Sequence, residues 1–567
     1  MTVVLGINSV YHESAAALVV DGVFVAACEE ERFNRVKHGK PAAIDNAAEL
    51  PTAAIRECLA IAGIKEGDVD KVALSFSPQL RRSQFVPDPL SVAGDWGSAE
   101  GEAAFIGAVE AIPAAVGRAL GRDFDGEVVT LSHHLSHAAS AYYPSGYDQA
   151  AILVVDGIAE FASTAFFDAN GAGIRDLGTV DYPNSIGFLW EKLSAYLGFS
   201  EYDASKTMGL AAYGDPDRFA DAFSSLLAID DQGYSINADL ARFRLPDFGP
   251  LESLFGPCRN GPEFEQHHYD VAAALQHANT EVVAGLVRKL LAASNARNLC
   301  LAGGVALNCV TNAAINRLDL FDDMYVPPAP HDAGTAIGAA LHLYHTTEPA
   351  ADRKTVASPF LGPGYETDEI VRAVADAGLN AVRHGSWDDC DRRVVDLLRE
   401  GKIVAWFQGR MEFGPRALGN RSLLADPRSP DMRDIINKRV KHREEFRPFA
   451  PSVLAERAAD WFDLGRDTVS HRYMLFTVPV IEQRAPEIPA VLHRDGSARV
   501  QLVDQKLNAR YHALLTAFEQ RTGVPMLLNT SFNDSEPIVC TPADAIATFC
   551  KTEIDALVLG DHLVERR

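Results

Sequence analysis

"VVLGINSVYHESAAALVVDG", residues 3–22, begins with a run of β-forming residues that ends at Asn8. It breaks at SVYHES (9–14) and resumes as an apolar run closed by Asp21-Gly22. With VFVAACE (23–29) following, an Asp-Gly pair stands between two apolar runs, which signals a β-hairpin. The same grammar returns downstream. AAILVVDG (150–157) reads as a strand ending at Asp156-Gly157, and STAFFDANGAGIRDLGTV (163–180) as a second hairpin with its own Gly-rich turn. A unit of strand, polar elbow and hairpin met twice predicts two similar α/β lobes facing one another across a cleft. Further on, NLCLAGGVALNCVTNAAINRL (298–318) reads strand, Gly-Gly loop, helix, and VPPAPHDAGTAIGAALHLYH (326–345) reads loop, then helix. The segment TTEPAADRKTVASPFLGPGYE (346–366) resumes no period and is rich in Pro, Gly and small polar residues. It is the expected linker between a domain at 1–345 and a second at 367–567.

Bulk properties agree with that division. A chain of 567 residues is too long for one core. A formal net charge of −25 argues against nucleic acid or an anionic membrane as partner. The eight cysteines stand singly with no CxxC pair, which fits a reducing compartment. The start, MTVVLGINSV, lacks a signal-peptide pattern, and no 18-residue apolar stretch occurs, so a cytoplasmic protein is expected.

Three of the histidines crowd into LSHHLSHAASAYYPSG (131–146). Ser132 suits an N-cap and Pro144-Ser145-Gly146 a stop, so 133–143 reads as a helix. Leu135, Ala138, Ala139 and Tyr142 then form an inward stripe, and His133 and His137 share the other face one turn apart. They make either a polar face or a pair able to reach one ion. Asp156 ends a buried-looking strand, where α/β folds place ligand groups, or else serves only its Asp-Gly turn. Asp332 precedes the helix AGTAIGAAL as a ligand or as its N-cap. Together the four make an N2O2 set with room for two more ligands. Such a set suits a catalytic divalent metal, Fe(II) before Zn(II) or Mn(II). Sequence spacing alone does not bring them together.

In the second domain the sign of charge reverses locally. Arginines 410, 416, 421, 428, 433, 439, 443 and 447, with Lys438 and Lys441, fall between Gly409 and Val453. DMRDIINKRVKHREE interleaves both charges, so Arg433 and Arg439 read as a salt-bridged surface. Arg416 in FGPRALG and Arg447 in FRPFAP lie in Gly/Pro-bent apolar segments, where a guanidinium should be buried against an anion. Asn529 and Ser531 in NTSFN add neutral donors, and a phosphate-dense ligand is the economical reading.

The motifs YHESAAALVVDG, EEERFNRVKHG, HHLSHAASAYYPSG, SKTMGLAAYG, LAGGVALNCVTN, PPAPHDAGTAIGAA, GRMEFGPRALGNRSLL, VKHREEFRPFAPSV, SARVQLV and LNTSFND occur in this order. They resemble the carbamoyltransferases of antibiotic and nodulation-factor biosynthesis, the family that includes the tobramycin-carbamoylating enzyme. The resemblance implies an N-terminal duplicated actin-like ATPase (RNase H-like) domain, similar to universal tRNA threonylcarbamoyltransferases. It also implies a C-terminal twisted-sheet α/β domain similar to threonylcarbamoyl-adenylate synthases. Carried over by position, the metal ligands fall on His133, His137, Asp156 and Asp332. The histidine acting near the acceptor falls on His12, a plausible general base in its polar elbow, or a hydrogen-bonded turn histidine on the residues alone. Glu13 stands where the commonest form has Asp, and Ser136 where it has Ala, off the ligand face. The family's adenylate pocket falls on Lys206, Met208, Gly209, Leu210 and Gly214 of the MGLAAYG loop and on Gly303, Gly304 and Asn308. Its ATP and carbamoyl phosphate ligands fall on Arg416, Lys441, Arg447, Arg499, Asn529 and Ser531.

The implied reaction has two stages. Carbamate released from carbamoyl phosphate attacks the α-phosphate of ATP (with Mg(II)), giving carbamoyl-adenylate and pyrophosphate. The anhydride passes inside the protein to the N-terminal metal, where a hydroxyl of a small-molecule natural product displaces AMP. A monomer or homodimer would serve. The rival readings are a tRNA-modifying enzyme, which the acidic charge disfavours, an actin-fold kinase, which would yield ADP, and a nucleotide sensor without turnover.

Overall fold

The computed structural model describes the chain except residues 122, 123, 125, 201, 202, 231, 232, 349–352, 354–357 and 567. Of the expected linker 346–366, residues 349–352 and 354–357 thus lie outside the described residues. Two compact units result: Met1–Glu30 with His38–Val356, and Glu31–Lys37 with Ala357–Arg567. The segment Glu31–Lys37 belongs to the second unit although it lies far from it in sequence. Arg32 Nη2 donates to the Gly414 carbonyl at 2.9 Å and Arg35 Nη1 to that of Ile538 at 2.8 Å. A division at a single linker leaves this segment out.

The first unit contains the expected repeat. Strands β1 (Val3–Asn8), β2 (Ala15–Val20), β3 (Val23–Glu29), β4 (Lys71–Leu74) and β5 (Glu127–Thr130) form one sheet in the order 3-2-1-4-5. Strands β6 (Ala150–Val155), β7 (Ala162–Asn170) and β8 (Gly173–Asp181) join β11 (Asn298–Ala302) and β12 (Asp323–Tyr325) in the order 8-7-6-11-12. A small ribbon, β9 (Leu227–Asp230) with β10 (Gly233–Ile236), stands apart. In each large sheet the first three strands are antiparallel and the last two parallel. This is the same five-stranded plan used twice, the arrangement of the duplicated actin-like (RNase H-like) fold. β1 and β6 are buried along their whole length, which is why both read as unbroken apolar runs.

Two helices cross over between the halves. The helix His133–Ser145 follows β5 of the first sheet yet packs on β6 and β11 of the second. The helix Ala333–Thr347 follows β12 of the second yet lies on β1 and β2 of the first. The two helices pack on one another, and Gly338 allows it. A Cβ there would sit 1.8 Å from the Ser136 carbonyl oxygen, in the backbone of the facing helix. Gly338→Ala gains roughly 1 kcal/mol of helix propensity but forces the helices apart, for a net loss of about 2 kcal/mol. The unfolding midpoint should fall accordingly, and an unchanged midpoint would show that this contact is not needed.

The structure corrects the reading of the histidine helix. It runs through Pro144 to Ser145 and ends at Gly146 in the left-handed region (φ 77°). The Ser132 side chain makes no cap. Of the expected stripe, Ala138, Ala139 and Tyr142 are fully buried but Leu135 is only half-buried, and the histidine face is not an outer one, since His133 and His137 are fully buried too. This helix is enclosed on its histidine face as well as on its apolar one, so apolar residues alone do not mark the buried side.

The second unit is built on an eight-stranded mixed sheet. Its strands are β13 (Val382–Arg383), β14 (Val404–Phe407), β15 (Arg421–Ala425), β16 (Ala450–Leu454), β19 (Gln501–Val503), β20 (Met526–Ser531), β21 (Ala556–Leu559) and β22 (His562–Glu565), in the order 13-22-21-14-15-20-16-19. β17 (Thr477–Pro479) and β18 (Ser497–Arg499) form a separate hairpin. Helices Trp387–Arg399, Ala509–Thr522 and Pro542–Lys551 bury their apolar residues in one core around Trp406. No described helix is long and apolar enough to cross a membrane.

Candidate functional site

Four side chains from four segments converge in the first unit. His137 Nε2 lies 2.9 Å from Asp156 Oδ2 and 3.4 Å from Asp332 Oδ1. His133 Nε2 lies 3.4 Å from Asp332 Oδ1 and 3.9 Å from Asp156 Oδ2. All four donor atoms fall within 4.8 Å of one another, as ligands of one ion must. The alternatives left by the sequence resolve here. Asp332 makes no side-chain cap. Asp156 serves its turn through Oδ1, bonded to the Gly157 amide at 2.8 Å, and leaves Oδ2 to the histidines.

Three observations fit this set to a metal. His133 Nε2, His137 Nε2 and Asp156 Oδ2 are buried with no polar partner outside the set itself, a costly crowding that a cation would relieve. His133 Nδ1 donates to the Ser75 carbonyl at 3.0 Å, which fixes the tautomer and turns the Nε2 lone pair inward. The field also favours positive charge. Burial disfavours the imidazolium of His133, yet the carboxylates of Asp332, Asp156 and Glu160 push it up to about 9. Asp332 is held well below the carboxylate range: burial raises it, and His133, His137 and His12 outweigh burial. Two carboxylates facing neutral imidazoles would balance a dication.

Glu160 is a member of this site that no sequence pattern revealed. Its Oε1 accepts from the amides of His133 at 2.9 Å and Ser77 at 2.8 Å, taking the capping role expected of Ser132. A carboxylate brought from another segment leaves no mark in the helix's own sequence.

His12 stands beside this set in a strained elbow. Tyr11 and Glu13 both adopt the left-handed region (φ 62° and 56°), and Asn8 Nδ2 holds the turn by donating to the His12 and Glu13 carbonyls, each at 3.0 Å. The His12 ring is half-buried, 5.9 Å from that of His38. Glu13 contacts His38 Nδ1 and lies 3.6 Å from His331 Nε2, which is 3.7 Å from Glu29. Adjacent residues thus link the clusters: His12 groups with Glu13 and His38 and acts electrostatically on Asp332, while His331, next to Asp332, meets Glu13.

The expected adenylate residues divide. Lys206, Met208, Gly209 and Leu210 lie on a helix, Ser205–Ala211, rather than a loop. Met208 Sδ lies 3.6 Å from Cys309 Sγ, which brings that helix against the start of the helix Cys309–Asn316 that follows the Gly303–Asn308 turn. Lys206 pairs with Asp203 at 3.0 Å. Gly304 donates to Asp156 Oδ1 at 3.4 Å, so the Gly-Gly turn abuts the donor set. Gly303, at φ 90°, passes so close to Val155 that a Cβ would meet its carbonyl at 2.2 Å. Two members serve packing instead. Leu210 is fully buried, and a Cβ at Gly214 would strike the Tyr269 carbonyl at 2.0 Å. Asn308 caps the helix Cys309–Asn316 by accepting from the Thr311 amide at 3.0 Å.

In the second unit Lys441 ends a π-turn, Asn437–Lys441, and is buried. Its Nζ donates to the Ser531 and Asn533 carbonyls (2.6 and 2.8 Å), to Ser531 Oγ (3.2 Å) and to Asn533 Oδ1 (2.6 Å), all neutral oxygens. Burial, then Arg443 and Arg447, hold its pKa well below the lysine range. Burial, then Arg447 and Arg499, push Arg443 down to about 9. Such crowding of cations calls for an anion. Arg443 belongs to the cluster although its sequence context did not separate it from its charged neighbours.

Three expectations are corrected here. Arg416 and Arg447 are half-buried, and the fully buried arginine is Arg421. Arg421 is balanced by backbone carbonyls, including those of Gln408 (2.6 Å) and Asn420 (3.0 Å), and stacks 3.6 Å over Phe407. The buried Glu412 carboxylate, which accepts from the Arg421 amide at 3.2 Å, adds negative charge nearby. Asn529 is no free donor, because its Nδ2 already serves Ala417 O, Ser452 Oγ and Gln501 Oε1, and only its Oδ1 is unpartnered. The Ser531 hydroxyl likewise donates to Asn533 Oδ1 at 2.8 Å. The surface reading fits Arg433, paired with Asp434, and Arg439, paired with Asp555 and Glu553.

Fold and site thus define an α/β protein with a duplicated actin-like unit around a metal-type donor set and a second unit bearing crowded cations. Comparison with known families makes this particular. Family models match residues 3–341 as "Carbamoyltransferase N-terminus" and 395–566 as "Carbamoyltransferase C-terminus". The chain is 38% identical over 564 residues to the nodulation protein NolNO of Sinorhizobium fredii, covering 99% of this chain and 80% of that one. It is 37% identical to the uncharacterized protein sll1178 of Synechocystis, covering 100% of this chain and 97% of that one. Among solved structures, the activator of the 2-hydroxyisocaproyl-CoA dehydratase from Clostridium difficile aligns with a TM-score of 0.34 at 14% identity, over 62% of this chain and 97% of that one. The chain belongs to the carbamoyltransferase family and is a transferase.

Proposed function

We propose that the protein is an ATP-dependent O-carbamoyltransferase whose second unit hydrolyses carbamoyl phosphate to carbamate and inorganic phosphate and joins the carbamate to ATP as carbamoyl-adenylate, releasing pyrophosphate. In its first unit it transfers the carbamoyl group to a hydroxyl of a small natural product. The observation that carries this reading is the buried His133, His137, Asp156 and Asp332 set, whose donor atoms converge on one another, in a member of this family.

A divalent cation held there, Fe(II) in preference to Zn(II) or Mn(II), would supply Lewis-acid polarisation of the carbamoyl carbonyl. The remaining roles belong to the chain. Ser75 and Glu160 hold His133 in place through its Nδ1 and its amide. His12, in the elbow beside the donor set, takes the proton of the acceptor hydroxyl. The helix Ser205–Ala211, through Lys206, Met208 and Gly209, and the turn at Gly303-Gly304 border the adenylate. Lys441, Arg443, Arg447 and Arg499, with Arg416, neutralise ATP and carbamoyl phosphate as the phosphoryl groups move. The cytoplasm supplies these substrates.

The test is incubation with Mg(II)-ATP, carbamoyl phosphate and a panel of hydroxylated natural products, followed by mass spectrometry. A carbamoylated product with AMP and pyrophosphate is expected. ADP in place of AMP, with no carbamoylated product, would contradict the reading and favour a kinase.

A further inference from the structure

Beside the crowded cations lies a histidine that the mechanism above does not use. His493 sits in the turn leading to β18, where its amide donates to the Ser497 carbonyl at 2.8 Å. Ser497 and Arg499 alternate with the fully buried Ala498, so both point to the same side of the strand. Ser497 Oγ lies 3.2 Å from His493 Nδ1 and donates to Asp495 Oδ1 at 2.7 Å.

This chain of bonds fixes the imidazole. A hydroxyl has one proton, and a carboxylate only accepts, so the Ser497 proton is committed to Asp495. The bond to His493 must therefore be donated by Nδ1–H, which leaves Nε2 as a bare lone pair. That Nε2 is buried and has no hydrogen-bond partner. Nε of neighbouring Arg499 is likewise buried and unpartnered. A charged state would not suit the place: burial, and then Arg499 against the pull of Asp495, holds the imidazole down at about 4. Among cations that can only donate, His493 thus offers an acceptor.

Carbamoyl phosphate presents both kinds of group. Its phosphate and carbonyl oxygens accept, and its amine donates. We propose that His493 Nε2 accepts a hydrogen bond from the amine of carbamoyl phosphate while Arg499 holds the phosphate. His493 is then the residue that distinguishes a carbamoyl from an acetyl group, whose methyl has no proton to give. The inference rests on the carbamoyl phosphate reading of the second unit.

The test is calorimetric titration of the full chain with carbamoyl phosphate, acetyl phosphate and inorganic phosphate, for the wild type, His493→Leu and His493→Gln. Removing the acceptor leaves a buried amine unpaired, so His493→Leu should bind carbamoyl phosphate roughly 10- to 100-fold more weakly. Its affinity for inorganic phosphate should be unchanged, and its preference for carbamoyl over acetyl phosphate should shrink by the same factor. His493→Gln, whose Oε1 reaches the place of Nε2, should restore most of the preference. Equal binding of carbamoyl phosphate by wild type and His493→Leu would overturn the proposal. So would a parallel loss of inorganic phosphate, because His493 would then only hold the hairpin. If the wild type binds neither carbamoyl phosphate nor inorganic phosphate, the underlying reading of the second unit fails, and this inference with it.

Discussion

Replacing His133 and His137 together by alanine is expected to strip the metal from the purified protein and to lower carbamoyl transfer at least about 1000-fold. Loss of a residue that merely orients a metal ligand costs roughly 10- to 100-fold, and here two ligands go at once. Both histidines are fully buried and their nitrogens face Asp156 and Asp332, so no water-exposed substitute is at hand. Metal content measured by mass spectrometry, with far-ultraviolet circular dichroism as control for folding, checks the first part. Undiminished metal in a folded double variant would show that the donor set is only a charge network.

Arg416→Ala and Lys441→Ala should act on the other unit. Each is expected to lower pyrophosphate release from ATP in the presence of carbamoyl phosphate by about 100- to 1000-fold, the scale of losing one preorganised charge at a phosphoryl centre. Lys441→Ala also orphans oxygens of Ser531 and Asn533 that the ammonium gathers, so it should be the more severe. Metal content should stay at the wild-type level in both. Normal pyrophosphate release in both variants would make the cations structural, as Arg421 already is.

The sequence displayed some of this and concealed the rest for definite reasons. The repeat was visible because β1 and β6 are covered on both faces, and each of β2 and β6 runs into an Asp-Gly pair. Asp156 and Asp332 could be singled out but not decided, since a cap and a ligand use the same residue at the same place. Only the fold shows that Asp332 makes no cap and that Asp156 divides its two oxygens. Glu160, His38 and His331 act across long sequence separations, where no spacing rule applies. Periodicity misled at Leu135 because the polar histidine face of the helix is enclosed as well, so polarity and burial part company. Asn529 misled because an amide can donate or accept, and its neighbours decide which. The Gly/Pro-bent context of Arg416 marked a turn, whereas the guanidinium that is buried there is Arg421.

The central claim is that activation and transfer are separate chemistries in separate units. The most direct measurement is pyrophosphate release from Mg(II)-ATP and carbamoyl phosphate by the His133→Ala, His137→Ala protein, followed alongside acceptor carbamoylation. Release close to the wild-type rate with no carbamoylated product is expected. Loss of pyrophosphate release in this variant, with its fold intact, would mean that the donor set takes part in the first step and would contradict the account.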